Sequence, residues 1–216
     1  MMVLNILFDK WELLSALIFA FIVGFLGGEA FFRLSKVRAL YWAERLDSLG
    51  GRKPLFKIIY KILRQPHGVL KTIPFIFGIN LTLGALLYHT VGGVLIVPPF
   101  LILCLVGLLV NLTMKKYPER VPLYVIVVPF EISAFIVAAI GGVGIGLNLL
   151  GGGNVVFAVW EWIILFITIV MPIQFIAALF EGILLHRFFV VQGRPWPRWL
   201  FDEQDQHETS KVESRH

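Results

Sequence analysis

The sequence predicts an all-α fold: a polytopic transmembrane helical bundle of about five spans, with a basic amphipathic segment on its cytoplasmic side. Three observations carry that prediction. Of 216 residues, 58% are hydrophobic and only 15% charged, with a mean hydropathy of +0.83, whereas a globular domain holds about 25% charged residues. Apolar runs recur at the length of roughly 20 residues that crosses a hydrocarbon core. Every Lys and Arg except Lys10 falls in three segments, the asymmetry produced when basic loops stay in the cytoplasm. This composition excludes a disordered chain. The net charge of +5 therefore reports sidedness rather than a nucleic-acid partner, and the first partner expected is the lipid bilayer.

Residues 1–32 hold a leader and the first span, Leu13 to Phe32. The leader sets Asp9 and Glu12 against Lys10, so it lacks a basic n-region, and the run ends in Phe31-Phe32-Arg33 rather than in small residues. The expectation is a retained helix and not a cleaved signal. Residues 33–71 form a second unit, with ten Lys/Arg against Glu44 and Asp47 alone. Within it Lys57, Lys61 and Arg64 share one helical stripe, and Phe56, Ile59 and Leu63 another. Two readings fit: a helix lying in the interface with its cations on anionic headgroups, or a connector packed on the bundle.

Residues 72–190 are cut into four spans by turn signals and charges: Thr72 to Tyr88, a break at Gly92-Gly93, then Pro99 to Thr113 with its flanks. A basic loop through Lys115, Lys116 and Arg120 follows, then Val121 to Leu150, an outer turn at Gly151-Gly152-Gly153-Asn154, and Val155 to about His186. Five crossings put the N-terminus outside and the C-terminus in the cytoplasm of a multi-pass protein of the cell membrane. Residues 191–216 form a polar cytoplasmic tail, expected to be disordered after Trp199. The last run is long for one crossing. Pro172 removes a backbone donor, and a single kinked helix is preferred over two half-spans because no polar turn interrupts Ile163 to Leu185. A Pro-Phe pair recurs at Pro74-Phe75, Pro99-Phe100 and Pro129-Phe130, which reads either as three helix N-termini or as an internal repeat. If Pro129 opens the fourth helix, residues 121–128 become a re-entrant strip.

The candidate site residues are the polar ones at membrane depth, where an unpartnered charge costs at least a few kcal/mol. Glu131 shares a stripe with Ala134, Ala138, Gly142 and Gly146, and small residues mark close helix approach. Gln174, Ala178 and Glu181 share a face of the last span, and Asn80 and Gly84 a face of the second. Asn80, Glu131, Gln174 and Glu181 thus form a candidate intramembrane polar cluster for packing or for a cation or proton, and Gly84, Ala138, Gly142 and Gly146 are candidate packing positions. Glu29 is expected to pair with Arg33 four residues on, and Glu161, between Trp160 and Trp162, to sit in the outer aromatic belt. The run Gly141-Gly142-Val143-Gly144-Ile145-Gly146 lies inside an apolar span with no preceding strand, so it is read as packing and not as a nucleotide loop. Cys104 is read as a small buried hydrophobe. His67 and His89 lack spaced partners, so neither a metal nor another cofactor is expected, and no nucleophile–base pair points to an enzyme.

The order of features resembles the stage II sporulation protein M family of polytopic membrane proteins over about residues 73–181. The residues that carry the likeness are Phe75-Ile76-Phe77-Gly78-Ile79-Asn80, Val97-Pro98-Pro99-Phe100, Val128-Pro129-Phe130-Glu131 followed by Gly142-Val143-Gly144-Ile145-Gly146, and Ala177-Ala178-Leu179-Phe180-Glu181. The family's His-Gly pair before the glutamate is missing here, and residues 33–71 are more basic than the resemblance implies. It implies a non-enzymatic membrane scaffold that recruits protein partners or a second copy of itself. The alternative from the residues alone is a transporter or channel whose path uses Glu131 and Glu181.

Overall fold

A computed structural model describes residues 2–49 and 52–193; of the tail expected over 191–216, residues 194–216 lie outside the described residues. The described chain is helical and contains no strand. Its helices are α1 (Met2–Asp9), α2 (Trp11–Leu34), α3 (Lys36–Leu49), α4 (Arg52–Leu63), α5 (Gly68–Val94), α6 (Pro98–Lys116), α7 (Val121–Gly151) and α8 (Val155–Val191). Five of them, α2 and α5 to α8, are long and apolar enough to cross a membrane, as a multi-pass membrane protein requires. Phe19 and Leu26 on α2, Leu101 and Leu105 on α6, and Phe157 and Ile167 on α8 are exposed apolar side chains, which suits a solvent of lipid tails.

The spans from Val121 and Val155 start where the sequence reading puts them, while the Gly92-Gly93 break and two of the proline helix starts do not hold. Gly92-Gly93 does not break the second span, because the pair is used for contact: a Cβ on Gly93 would come within 2.9 Å of Gly142 Cα. The chain turns instead at Ile96, which takes a left-handed φ of 68°. Neither Pro74 nor Pro129 begins a helix; both lie inside one. Val121 to Val128 is therefore the first part of α7 and no re-entrant strip. Of the three Pro-Phe pairs, Pro99-Phe100, with Pro98 before it, is the one that stands at a helix N-terminus. The run from Val155 to Val191 is a single helix, with a π-helical stretch at Phe166–Val170 where Met171 N–H bonds the Phe166 carbonyl five residues back. Pro172, with no N–H and a ring that crowds the carbonyl four residues before it, accounts for that widening.

Glycines decide which spans touch. A Cβ on Gly24 would collide with the carbonyl of Cys104, one on Gly107 with the carbonyl of Phe21, and one on Gly28 with Leu108 O at 2.9 Å. Gly24 faces Cys104 and Gly28 faces Leu108, so both chains advance by one turn in the same sense and α2 and α6 are parallel. Cys104 lends this seam its backbone, while its side chain is half-buried. The α5–α7 seam is parallel too: Gly84 meets Phe135, Gly142 meets the Thr90 carbonyl and Gly146 the Val94 carbonyl. α8 runs antiparallel to both α5 and α7: Phe77 meets Phe175 (5.8 Å) and Thr90 meets Trp162 on the α5 side, and Phe130 meets Phe180 (5.7 Å) and Gly141 meets Trp162 on the α7 side. Leu17, Ala85, Leu103, Ile132, Ala138, Leu165 and Val170 fill the core where all five meet.

One end of the bundle is basic and carries Arg33, Lys115 and Arg120 near helix termini. There α4 packs Ile59 and Leu63 against Ile76, Ala178, Leu185, Phe188 and Phe189. Its apolar stripe faces the protein, with Lys61 and Arg64 exposed and Lys57 half-buried.

Gly24→Leu is expected to lower stability in mild detergent by ~1–3 kcal/mol, the usual cost of forcing extra volume into a close contact. Gly27→Leu, at a position with open space around it, is expected to leave the melting profile unchanged. Equal melting of the two variants would mean that the α2–α6 seam is not a backbone contact.

Candidate functional site

The polar centre begins where α5 changes its winding. From Asn80 to Val91 the helix is π-helical, a rare form when longer than a single turn, and its side chains follow the wider repeat. His89 Nδ1 lies 2.7 Å from the Gly84 carbonyl and Thr90 Oγ1 donates to the Ala85 carbonyl at 3.0 Å, each five residues back. Phe135 of α7 fills the notch this leaves: its ring sits against Gly84 and stacks on the His89 ring at 4.6 Å with 4° between planes. Trp162 Nε1 of α8 donates to Thr90 Oγ1 at 3.2 Å. Gly84 is thus needed small for a stated reason, since any Cβ there would lie 2.5 Å from the Phe135 ring.

At the first residue of this stretch, Asn80 Nδ2 donates to Glu131 Oε1 at 2.5 Å. Along α7 the face beginning at Glu131 continues through Ala134 and Ala138, both buried, to Gly142 and Gly146, which receive carbonyls of α5. The Ala138 carbonyl accepts from Thr90 Oγ1 at 3.4 Å.

Gln174 of α8 is fully buried, and neither its amide nitrogen nor its amide oxygen has a protein partner. The contacts that bracket it are Phe77–Phe175 and Thr90–Trp162 toward α5, and Phe130–Phe180 and Gly141–Trp162 toward α7. With α8 antiparallel to both, the same contacts bracket Asn80 on α5 and Glu131 on α7. Glu181 lies on the same face seven residues on, about 10 Å nearer the basic end at 1.5 Å per residue. There its neighbour Gly182 receives the Ile73 side chain. The four residues singled out in the sequence thus comprise a bonded pair, a buried amide, and a half-buried carboxyl two turns along α8 from that amide, next to Phe180, whose ring stacks on Phe130 beside Glu131.

Lys57, Lys61 and Arg64 belong to a different place, the basic end, where the Arg64 guanidinium lies over the Tyr60 ring at 4.6 Å. Among the described residues no three His, Cys, Asp or Glu side chains converge as a metal site.

Ionic contacts close both ends of the bundle, a shared one at the basic end and a second, single one at the other. At the basic end Glu29 accepts from Arg33 Nε at 2.8 Å and also from Lys115 Nζ at 2.9 Å, which ties α2 to α6. At the other end Lys10 Nζ pairs with Glu161 Oε2 at 2.6 Å, in the space left by Gly144. The second contact joins residues 151 apart, which the sequence reading of Glu161 as an aromatic-belt residue does not contain. The available signal was that Lys10 and Glu161 fall at the same end in a five-span topology. The Gly24-x-x-x-Gly28 spacing, a sign of close helix approach, was likewise present and unused.

No protein-family model, curated protein or solved structure matches the chain.

A double-mutant cycle over Asn80→Leu and Glu131→Leu is expected to show coupling of ~1 kcal/mol in unfolding from detergent, the net worth of one buried hydrogen bond. Strictly additive losses would mean that this bond contributes nothing to stability.

Proposed function

We propose that the chain is a non-enzymatic membrane scaffold, as its resemblance to the stage II sporulation protein M family implies, with the basic end in the cytoplasm and the N-terminus outside. The observation that carries this reading is the closure of the bundle by two glycine seams, α2 on α6 and α5 on α7, each with backbone against backbone. Alternating access needs one group of helices to rock or slide against another, and seams of this kind resist that motion because at Gly24, Gly107, Gly142 and Gly146 no side chain lies between the facing backbones to take up the displacement. The helical layer at the basic end, with Lys61 and Arg64 exposed on α4, offers partners or a second copy of the chain a fixed, charged surface.

A second reading, passage of a cation or proton, is favoured by Gln174. A buried amide with both polar atoms unpartnered is a place for ordered water or an ion, and the contacts that bracket it also bracket the Asn80–Glu131 pair. In that reading Asn80, Glu131, Gln174 and Glu181 together supply the polar groups along the path.

Flux in proteoliposomes separates the two. For a scaffold, Glu131→Gln leaves proton and monovalent-cation leak at the level of the wild type and changes stability by less than ~1 kcal/mol, because a neutral hydrogen-bonding side chain replaces another acceptor. A wild-type flux that this substitution abolishes, with the fold intact, would establish the transport reading in its place.

The orientation has its own test in cells carrying a Cys104→Ala background. A cysteine at Asn154 is expected to react with an impermeant thiol reagent applied outside, and one at Lys115 to stay unlabelled. Labelling at Lys115 would reverse the assignment.

A further inference from the structure

The connection between the first two spans contains a helix whose apolar side faces away from the protein. α3 leaves α2 at Ser35, where φ is −154° and ψ 79° and the Ser35 N–H still bonds the Phe31 carbonyl, so the chain turns off the span instead of extending it. The small residues Ala39 and Ala43 are fully buried, and they pack with Leu112, Leu108, Phe31 and Phe32. These partners fix the depth of the helix. Leu112 and Leu108 lie about one and two turns inside Lys115, whose ammonium marks the polar boundary with Glu29 and Arg33. A helix seated on them runs along the margin of the apolar slab and not above it in water.

On the opposite side Val37 is 81% and Tyr41 56% exposed, and Leu34, at the turn before them, 85%. Arg38 and Arg45, seven residues apart, share the edge beside that stripe, and both are exposed. Arg45 is held in an amphipathic setting: Nη1 donates to the Tyr41 hydroxyl at 3.2 Å, and the guanidinium lies 5.7 Å from the Trp42 ring. An outward apolar stripe flanked by cations and aromatic rings is the composition of a helix lying in a membrane interface. α4 commits Ile59 and Leu63 to the inside of the bundle, and Ile58 is the one large apolar side chain among its described residues that is exposed.

We propose that α3 is an interfacial helix that docks into the headgroup layer of a leaflet containing anionic lipid. Leu34, Val37 and Tyr41 enter the upper acyl region, continuous with the lipid-facing side of α2. Arg38 and Arg45 bind the phosphates and anionic headgroups above it. The lipid contact that the sequence suggested for Lys57, Lys61 and Arg64 thereby has its apolar anchor on the preceding helix.

The test uses the full chain with Cys104→Ala and a nitroxide on Val37→Cys or, for comparison, on Lys61→Cys, in vesicles of phosphatidylcholine with and without phosphatidylglycerol. The label at 37 is expected to be relaxed by oxygen and shielded from a water-soluble nickel chelate, at a depth of about 5–10 Å below the phosphates, while the label at 61 is relaxed by nickel. Phosphatidylglycerol is expected to raise the melting temperature of the wild type in nanodiscs, and the double variant Arg38→Gln, Arg45→Gln to lose that increment. Equal nickel access at positions 37 and 61 would put α3 in water and overturn the proposal. Protection of the label at 37 from both reagents would overturn it in favour of a protein contact, and an increment retained by the double variant would move anionic-lipid recognition to other residues.

Discussion

Lipid tails are as apolar as leucine, so helices inside a bilayer gain little by exchanging lipid contact for one another, and what holds them is how closely their backbones approach. In this protein that approach happens at glycine. Gly24 and Gly107 each receive a carbonyl of the facing helix in the first seam, and Gly142 and Gly146 do so in the second. At such distances dispersion and Cα–H···O contacts act over several residues at once. The seams also fix topology: each joins a span to the one two crossings later, which must point the same way, so both pairs are parallel and the two pairs run in opposite directions. α8 then covers the second pair from the antiparallel side.

The change of winding in α5 follows from the same constraint. With no water at that depth, a segment that departs from the α-helical repeat must still satisfy its backbone, and the π-helical stretch does so with bonds to carbonyls five residues back. Thr90 and His89 add side-chain contacts of the same reach. The wider repeat turns Gly84, Ala85, His89 and Thr90 toward α7 and α8, and Phe135 and Trp162 dock there. Asn80 stands at the start of the stretch, so the hydrogen bond to Glu131 is made where the two windings join.

This geometry explains what was legible in the sequence. The five apolar helices follow from run length and from the separation of cations, since both are properties of long segments. The face that Ala138, Gly142 and Gly146 share with Glu131 follows from a regular 3.6-residue repeat, and it is the face that meets α5. His89 and Thr90 could not be placed that way, because beyond Gly84 the inward positions step by five. Gly92-Gly93 carried two meanings in an apolar run, a turn or a close contact, and only the presence of Gly142 opposite selects the second. Pro74 and Pro129 were ambiguous for a related reason: a missing N–H is tolerated at a helix start and also inside a helix whose neighbours hold it straight. Lys10 and Glu161 left no local trace, because their contact depends on how the first and last spans are brought together.

Charge is distributed by depth. Full ionic contacts stand at the two ends, Lys10 with Glu161 and Glu29 with Arg33 and Lys115, where water and headgroups reduce the cost of an ion. Deeper in, Glu131 is met by an amide. An amide N–H bonds a carboxyl oxygen in either protonation state, so it holds two helices together without obliging the carboxyl to be charged. The same property makes Asn80–Glu131 a clasp that stiffens the α5–α7 seam in either protonation state of the carboxyl. Gln174 differs from that pair in that it is fully buried and the protein leaves both of its polar atoms without partners, so the cost of burying it is not met within the chain.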